Sequence, residues 1–323
     1  MVKVKEIVAR FEEYATQQLA EKNDAIGLQL GSLEHEVKKM MVTLDVRPEV
    51  VEEAIAAGVD FIFAHHPAMF VPVKHFDLAD PQNQMYAMLI KHDITVYAAH
   101  TNLDNANGGM NDWLAEALNI EETKPLLPPK AEVWYKLAVF VPEEHATVLR
   151  QALAQAGAGH LGEYTACSYS LSGTGRFRPK EGATPYLGKV GQVSKVAEEK
   201  VEVVFPAKIK AKVLQAMQAV HPYEEIAFDL YQVEGLGQST GMGRVGKLNA
   251  PMTVSEYAAF CKQVLGLKGL RLVAKDPTKI VKRVAVLGGS GAKFYPFALN
   301  AQADVYVTGD VSYHTAHDMY ESG

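Results

Sequence analysis

Cysteine is almost missing from this chain: Cys167 and Cys261 are the only two thiols among 323 residues, far apart and in no CxxC spacing. A disulfide framework is therefore excluded as the organising principle, a sulfur-rich metal site is disfavoured, and a reducing cytoplasmic setting fits. Long apolar runs are missing too, since none approaches the roughly 20 residues that a membrane span needs. Basic clusters are equally scarce. Lys and Arg number 32 against 38 Asp and Glu, for a net charge of −6, and no Lys/Arg block stands out. A duplex-binding protein needs a basic footprint, so nucleic acid is not the expected partner. The N-terminus lacks the pattern of a secretory leader. In MVKVKEIVARFEEYATQQLAE, Val4, Ile7, Val8, Phe11 and Ala15 recur at helical spacing with charges between them, which predicts an amphipathic helix of the mature protein.

What is present is the composition of a globular protein, 48% hydrophobic and 22% charged, long enough for two domains. From Lys38 onward strands alternate with helices. KKMMVTLDV reads as a strand and RPEVVEEAIAAG as a helix, with Pro48 in its first turn and Gly58 at its end. VDFIFA and ITVYAA are further strands, with helices at NQMYAMLIKHD and GGMNDWLAEALNI. Such alternation predicts an α/β fold with a mainly parallel sheet flanked by helices. The proline-rich stretch 121–132 reads as a linker. Beyond it the order is strand, helix, a pair of strands around a glycine turn at 162–179, strand, helix, strand, which is a ferredoxin-like α+β pattern over 130–233. The glycine-rich stretch 234–248 reads as a return linker, after which the α/β pattern resumes. The expectation is one discontinuous α/β domain, 1–125 and 240–323, carrying an inserted ferredoxin-like domain.

Sites in open parallel sheets form outside the carboxyl ends of the strands. FIFAHHP brings His65 and His66 to such an end, and VYAAHTNLDN brings His100, with Asp104 four residues on. Adjacent residues on an extended strand point to opposite faces, a restriction that lapses where the strand runs out. Three imidazoles and a carboxylate at one sheet edge suit zinc, iron or manganese, and one aspartate can bridge two ions. The alternative is that each histidine is an ordinary loop residue. AVLGGSG (285–291) reads as a tight strand-to-helix connection rather than a phosphate cradle, since no GK[ST] follows. In TGDVSYHTAH, Asp310, His314 and His317 follow another strand, and ligand and ordinary helix-surface roles stand open for the two histidines. HPYEE (221–225) reads as a loop shaped by Pro222.

Taken together, DAIGLQLGS, FAHHP, YAAHTNLDNANGGMND and LGGSGA with ADVYVTGDVSYHTAHD occur in an order that resembles the dinuclear metal-centre proteins related to NGG-one-interacting factor three, the GTP cyclohydrolase type 2 homologues. The inserted segment is similar to the PII/CutA-like domain of the longer bacterial members, with HPYEE where such domains carry a similar run. The resemblance implies two divalent metal ions held by His65, His66 and Asp104, with Asp104 as the bridge. It places His100 in the same motif, as a ligand or as a group orienting one, and His314 along the site. It also implies a toroidal homohexamer, with the inserted domain at the ring openings. Family members continue with a glycine-histidine motif and a glutamate that complete the site, whereas this chain ends at HDMYESG, so it is expected to bind metal more weakly than a longer version.

Two functions follow from these expectations. One is a metal-dependent hydrolase acting on a nucleotide or related phosphate compound, with His100 or His314 moving protons. The other is a non-catalytic metal-binding regulatory or scaffold oligomer.

Overall fold

The computed structural model describes every residue apart from Pro129, Glu132, Gly237 and Gln238, so those four positions of the two expected linkers lie outside the described residues. The chain divides into two compact units: Met1–Lys130 with Thr240–Gly323, and Ala131–Ser239.

In chain order, the first unit begins with α1 (Val4–Glu12), β1 (Gly27–Leu30), β2 (Met40–Thr43), α2 (Pro48–Ala56), β3 (Phe61–Ala64), α3 (Pro81–Lys91), β4 (Thr95–Ala98), α4 (Thr101–Asn105), α5 (Met110–Ala117) and β5 (Ile120–Pro125). The second unit is β6 (Trp134–Pro142), α6 (Ala146–Gln155), β7 (Tyr169–Phe177), β8 (Ser194–Pro206), α7 (Lys210–Val220) and β9 (Phe228–Val233). The first unit then resumes with β10 (Arg244–Thr253), α8 (Val254–Val264), β11 (Ile280–Leu287), α9 (Tyr295–Asn300), β12 (Val305–Thr308) and α10 (Tyr313–Ser322).

The first unit holds two mixed sheets in place of the single mainly parallel sheet expected. One runs β1-β4-β3-β2, with β2, β3 and β4 parallel and β1 antiparallel on β4. The other runs β12-β11-β10-β5, with β11 and β12 parallel and the remaining pairs antiparallel. The difference arises where punctuation residues hid strands. Residues 121–125 and Arg244–Leu248 lie in the stretches read as linkers, and Ile120 at the end of an expected helix, yet the two segments pair with each other at Pro125↔Arg244 and Ile120↔Leu248. Pro125 is tolerated because it terminates an edge strand, where no ladder N–H is needed. The two central strands of the first sheet are buried on both faces. Ile62, Ala64 and Val96 pack against α2 and α3 through Val51, Ala54, Met85 and Leu89, while Phe61 and Tyr97 pack against Val4 and Val8 of α1. Near-continuous burial of Phe61–Ala64 and Thr95–Ala98 explains why these strands read as unbroken apolar runs.

The second unit carries a four-stranded antiparallel sheet in the order β7-β8-β6-β9. Leu137, Val139, Val201 and Val203 face Leu149, Leu153, Val213 and Met217 of α6 and α7 across one core. The expected pair of strands around a glycine turn is instead one strand, Tyr169–Phe177. Gly173 does not have a positive φ, so the chain passes straight through it.

Candidate metal centre

Three parallel strands deliver polar side chains to one edge of the first sheet. Just past β2 comes Asp45; at the end of β3 come His65 and His66; just past β4 comes His100, followed by α4 with Asp104. The backbone holds these ends in register beyond the strands. His65 N donates to Thr43 O at 3.0 Å, His66 N to Leu44 O at 2.8 Å, and Ala99 N to Ala64 O at 2.9 Å. Asp104 N reaches back to His100 O at 3.2 Å, which sets the carboxylate one helical turn from that imidazole.

The three rings converge. Their centroids lie 5.0 Å (His65–His66), 5.2 Å (His65–His100) and 5.5 Å (His66–His100) apart. One nitrogen from each lies within 4.8 Å of the others, so the three could hold a metal ion. Each ring also has its Nδ1 occupied. His65 Nδ1 donates to Ala99 O at 2.9 Å, His66 Nδ1 to Asp45 at 2.8 Å, and His100 Nδ1 to Asp24 at 2.9 Å. That fixes the tautomer and leaves Nε2 of every ring as the free lone pair, the arrangement found around protein metal ions. Asp104 is 8% exposed, and its Oδ1 has no hydrogen-bond partner among the described residues. It stands 3.7 Å from His65 Nε2. A buried acceptor left unpaired beside three imidazole lone pairs is costly unless a cation completes it, so this donor set fits a divalent ion.

The electrostatics agree. Burial, reinforced by the neighbouring His100 and His66, lowers the His65 pKa to about 4, so this ring is neutral and ready to ligate near pH 7. Burial raises the Asp104 carboxyl to about 6, partly offset by the imidazoles. Burial alone would raise Asp24 too, but hydrogen bonds from Thr101 and His100 outweigh it and hold that carboxyl below its ordinary range. Phe70, exposed, stands with its ring centroid 5.8 Å from His100 on the solvent side.

Sequence reasoning singled out His65, His66, His100 and Asp104, and the fold brings these four together. It did not single out Asp24 and Asp45, which orient His100 and His66, or Thr101, which donates to Asp24. Asp45 could have been found by the rule that flagged the histidines, because it too follows a strand of the same sheet. Asp24 opens the motif DAIGLQLGS, but it is remote in sequence from His100 and nothing marked it as that ring's partner. His314 and His317 lie exposed on α10 with their rings against Tyr313, and neither belongs to the imidazole cluster. The glycine turn after β11 uses its own amides. Gly288 N donates to Asn111 Oδ1 at 3.0 Å, and Gly291 N to Gly289 O and the Thr308 hydroxyl. With Gly289 at φ +69°, this is the tight connection expected.

A family model described as Duf34/NIF3 (NGG1p interacting factor 3) matches residues 2–323. The chain belongs to the DUF34/NIF3 family. Among its relatives, a GTP cyclohydrolase 1 type 2 homolog from Bacillus subtilis is 47% identical over 318 residues, covering 98% of this chain and 85% of that protein. A protein of the same name from Listeria innocua is 42% identical over 315 residues, covering 97% and 84%. Among solved structures, a Bacillus cereus protein related to NIF3 superposes with a TM-score of 0.89 at 44% identity, covering 100% of this chain and 86% of that one. A Staphylococcus aureus protein gives 0.77 at 28% identity, covering 100% and 85%. Among the described residues, no helix of this NIF3-family chain is long and apolar enough to cross a membrane.

Proposed function

We propose that this NIF3-family protein binds two divalent metal ions at the His65/His66/His100/Asp104 cluster and is a hydrolase of a nucleotide or related phosphate compound, as the names of its relatives suggest. The observation that carries the reading is the unpaired, buried Asp104 oxygen beside three imidazoles whose Nδ1 atoms are all engaged elsewhere. His65, His66 and Asp104 would be the ligands in this reading. Bound divalent metal would supply Lewis acidity and lower the pKa of a coordinated water. Ala99 O and Asp45 orient the ligand rings. Asp24 holds His100 with Nε2 towards the cluster, where this imidazole is placed to add a ligand or to accept a proton as water is deprotonated. Phe70 stands beside His100. His314 lies exposed on α10, outside the imidazole cluster. In the same reading the unit Ala131–Ser239 is an inserted ferredoxin-like domain, its βαββαβ order and 4-1-3-2 strand arrangement supporting that assignment. In this reading the protein assembles as a cytoplasmic homohexamer.

The test is turnover of GTP and a panel of phosphoesters by metal-loaded protein, alongside His65→Ala and Asp104→Ala and with oligomer mass measured throughout. Metal-dependent release that disappears in both variants, with assembly intact, supports the hydrolase. Loss of assembly without any turnover in the parent protein would instead make the metal a structural element of a scaffold.

A further inference from the structure

The second unit holds a cavity of about 710 Å³, on the face of its sheet opposite the helices. Cross-strand pairing fixes which residues face it. Leu137, Val139, Val201 and Val203 point into the helix-packed core, so their neighbours Phe140, Glu198 and Lys200, with the β7 positions Leu171 and Gly173 opposite them, point the other way. Two glycines shape the floor. A Cβ on Gly175 would sit 2.1 Å from the Glu198 carboxylate, so Gly175 is what lets that carboxylate lie across the strand. Gly173 is different. It does not have a positive φ, and a Cβ built on it would meet nothing within 4 Å. Glycine inside a strand weakens it, and neither backbone conformation nor any protein neighbour calls for glycine here. Open space over a strand glycine is where a ligand approaches the backbone.

The walls say what kind of ligand. Glu198 is 8% exposed, and its Oε1 accepts from the Tyr223 hydroxyl at 2.9 Å. The ring of Tyr223 lies 5.8 Å from Phe177 and 6.4 Å from Tyr186, so three aromatic rings gather beside a buried carboxylate. Flat aromatic surface favours a planar ring, and a carboxylate with spare lone pairs favours N–H donors on its edge. A bare organic cation fits less well, because Lys200 lines the same cavity; its ammonium is paired with Glu202 at 2.6 Å.

We propose that this cavity is a binding site for a planar heteroaromatic molecule whose adjacent ring N–H and exocyclic amino group donate to Glu198, its ring lying over Gly173 against Tyr223 and Phe177. The motif HPYEE thereby gains a role, since it supplies Tyr223. The site is independent of the metal cluster and does not rest on the hydrolase reading.

Titration calorimetry on the full chain would use guanosine and 2-aminobenzimidazole as probes, each with the adjacent donor pair, against inosine and benzimidazole, which lack the amino group. The expected result is that at least one donor-pair probe binds, at least tenfold tighter than its control. Glu198→Gln is expected to weaken that binding tenfold or more. Gly173→Val is expected to abolish it while leaving the urea midpoint unchanged or higher, because a β-branched residue suits an extended strand with open space above it. Absence of binding by both donor-pair probes overturns the proposal. So does binding that the controls match, or binding that survives Gly173→Val in a protein of unchanged stability.

Discussion

His65 and Asp104 stand 3.7 Å apart and their pKa values move in opposite senses, which gives the metal-free site a testable pH signature. Between pH 6.5 and about 4 the unfolded chain holds a proton on His65 that the folded chain has shed, so this histidine lowers stability as pH falls. Between about pH 6 and 3.8 the folded chain holds a proton on Asp104 that the unfolded chain has released, so this carboxyl raises stability as pH falls. In the shared window the two slopes largely cancel. Asp104→Asn removes only the second. Relative to the parent protein, the variant should lose roughly 2–3 kcal/mol on going from pH 6.5 to 4 in chelator. Urea titrations at half-unit pH steps measure this, and superimposable pH profiles for the two proteins would count against the raised carboxyl. The second residue-scale prediction concerns Asp24, which touches His100 and Thr101 and no other imidazole of the cluster. Its loss leaves the His100 ring free to rotate or change tautomer. Asp24→Asn should weaken metal affinity roughly 10- to 100-fold, the usual effect of removing an orienting partner. Competition against a chromophoric chelator reads this, and an unchanged affinity would show that His100 neither ligates nor helps to hold the metal.

Elements explain both what the sequence revealed and what it hid. The strands Phe61–Ala64 and Thr95–Ala98 were legible because burial on both faces makes them continuous apolar runs, and their ends were legible because histidines interrupt those runs. Helix α8 begins at a capping box between Thr253 and Glu256, which the structure contains in full. Ile120–Pro125 and Arg244–Leu248 were not legible. Prolines and glycines punctuate them, and their strand character comes from pairing with each other across more than a hundred residues of chain, which no local window registers. Asp24 was hidden for the same reason, because its partner is far away in sequence. Arg244 clamps β10 to α5, which is equally distant in sequence. It is 2% exposed, engages both carboxylate oxygens of Asp112 on α5, and donates to the carbonyls of Ala106, Gly241 and Gly243. Truncating one partner of a buried, multiply bonded ion pair strands the other, so Arg244→Ala should cost about 3–5 kcal/mol. Arg244→Lys should recover only part of this, since an ammonium cannot span the carboxylate and three carbonyls at once. Chemical denaturation settles both. A loss below about 1 kcal/mol for the alanine variant would mean that water replaces the clamp.

At the scale of the whole molecule, the decisive property is that the two units own separate cores. Every fully buried residue of the second unit's cluster falls between Leu137 and Met217, and none of the first unit's clusters draws on that range. The first unit also brings its two broken ends together by itself. Pro125 pairs with Arg244, and Leu127 N donates to Met242 O at 3.1 Å, so the chain leaves and re-enters along one ladder. A segment with its own core, leaving and returning at adjacent points, should be removable with little entropic penalty for closing the gap. Replacing Ala131–Ser239 by a short Gly/Ser linker should therefore leave a folded protein. Its metal affinity should remain within about twofold of the parent's, because all the cluster residues and their orienting partners precede Lys130 and independent sites do not couple. The excised segment, expressed alone, should unfold in one cooperative urea transition, as a domain with its own core does. Far-UV circular dichroism on the segment and chelator competition on the deletion variant test the two halves separately. A gradual, non-cooperative transition in the first, or a tenfold loss of affinity in the second, would show that the units depend on each other for folding or for the site.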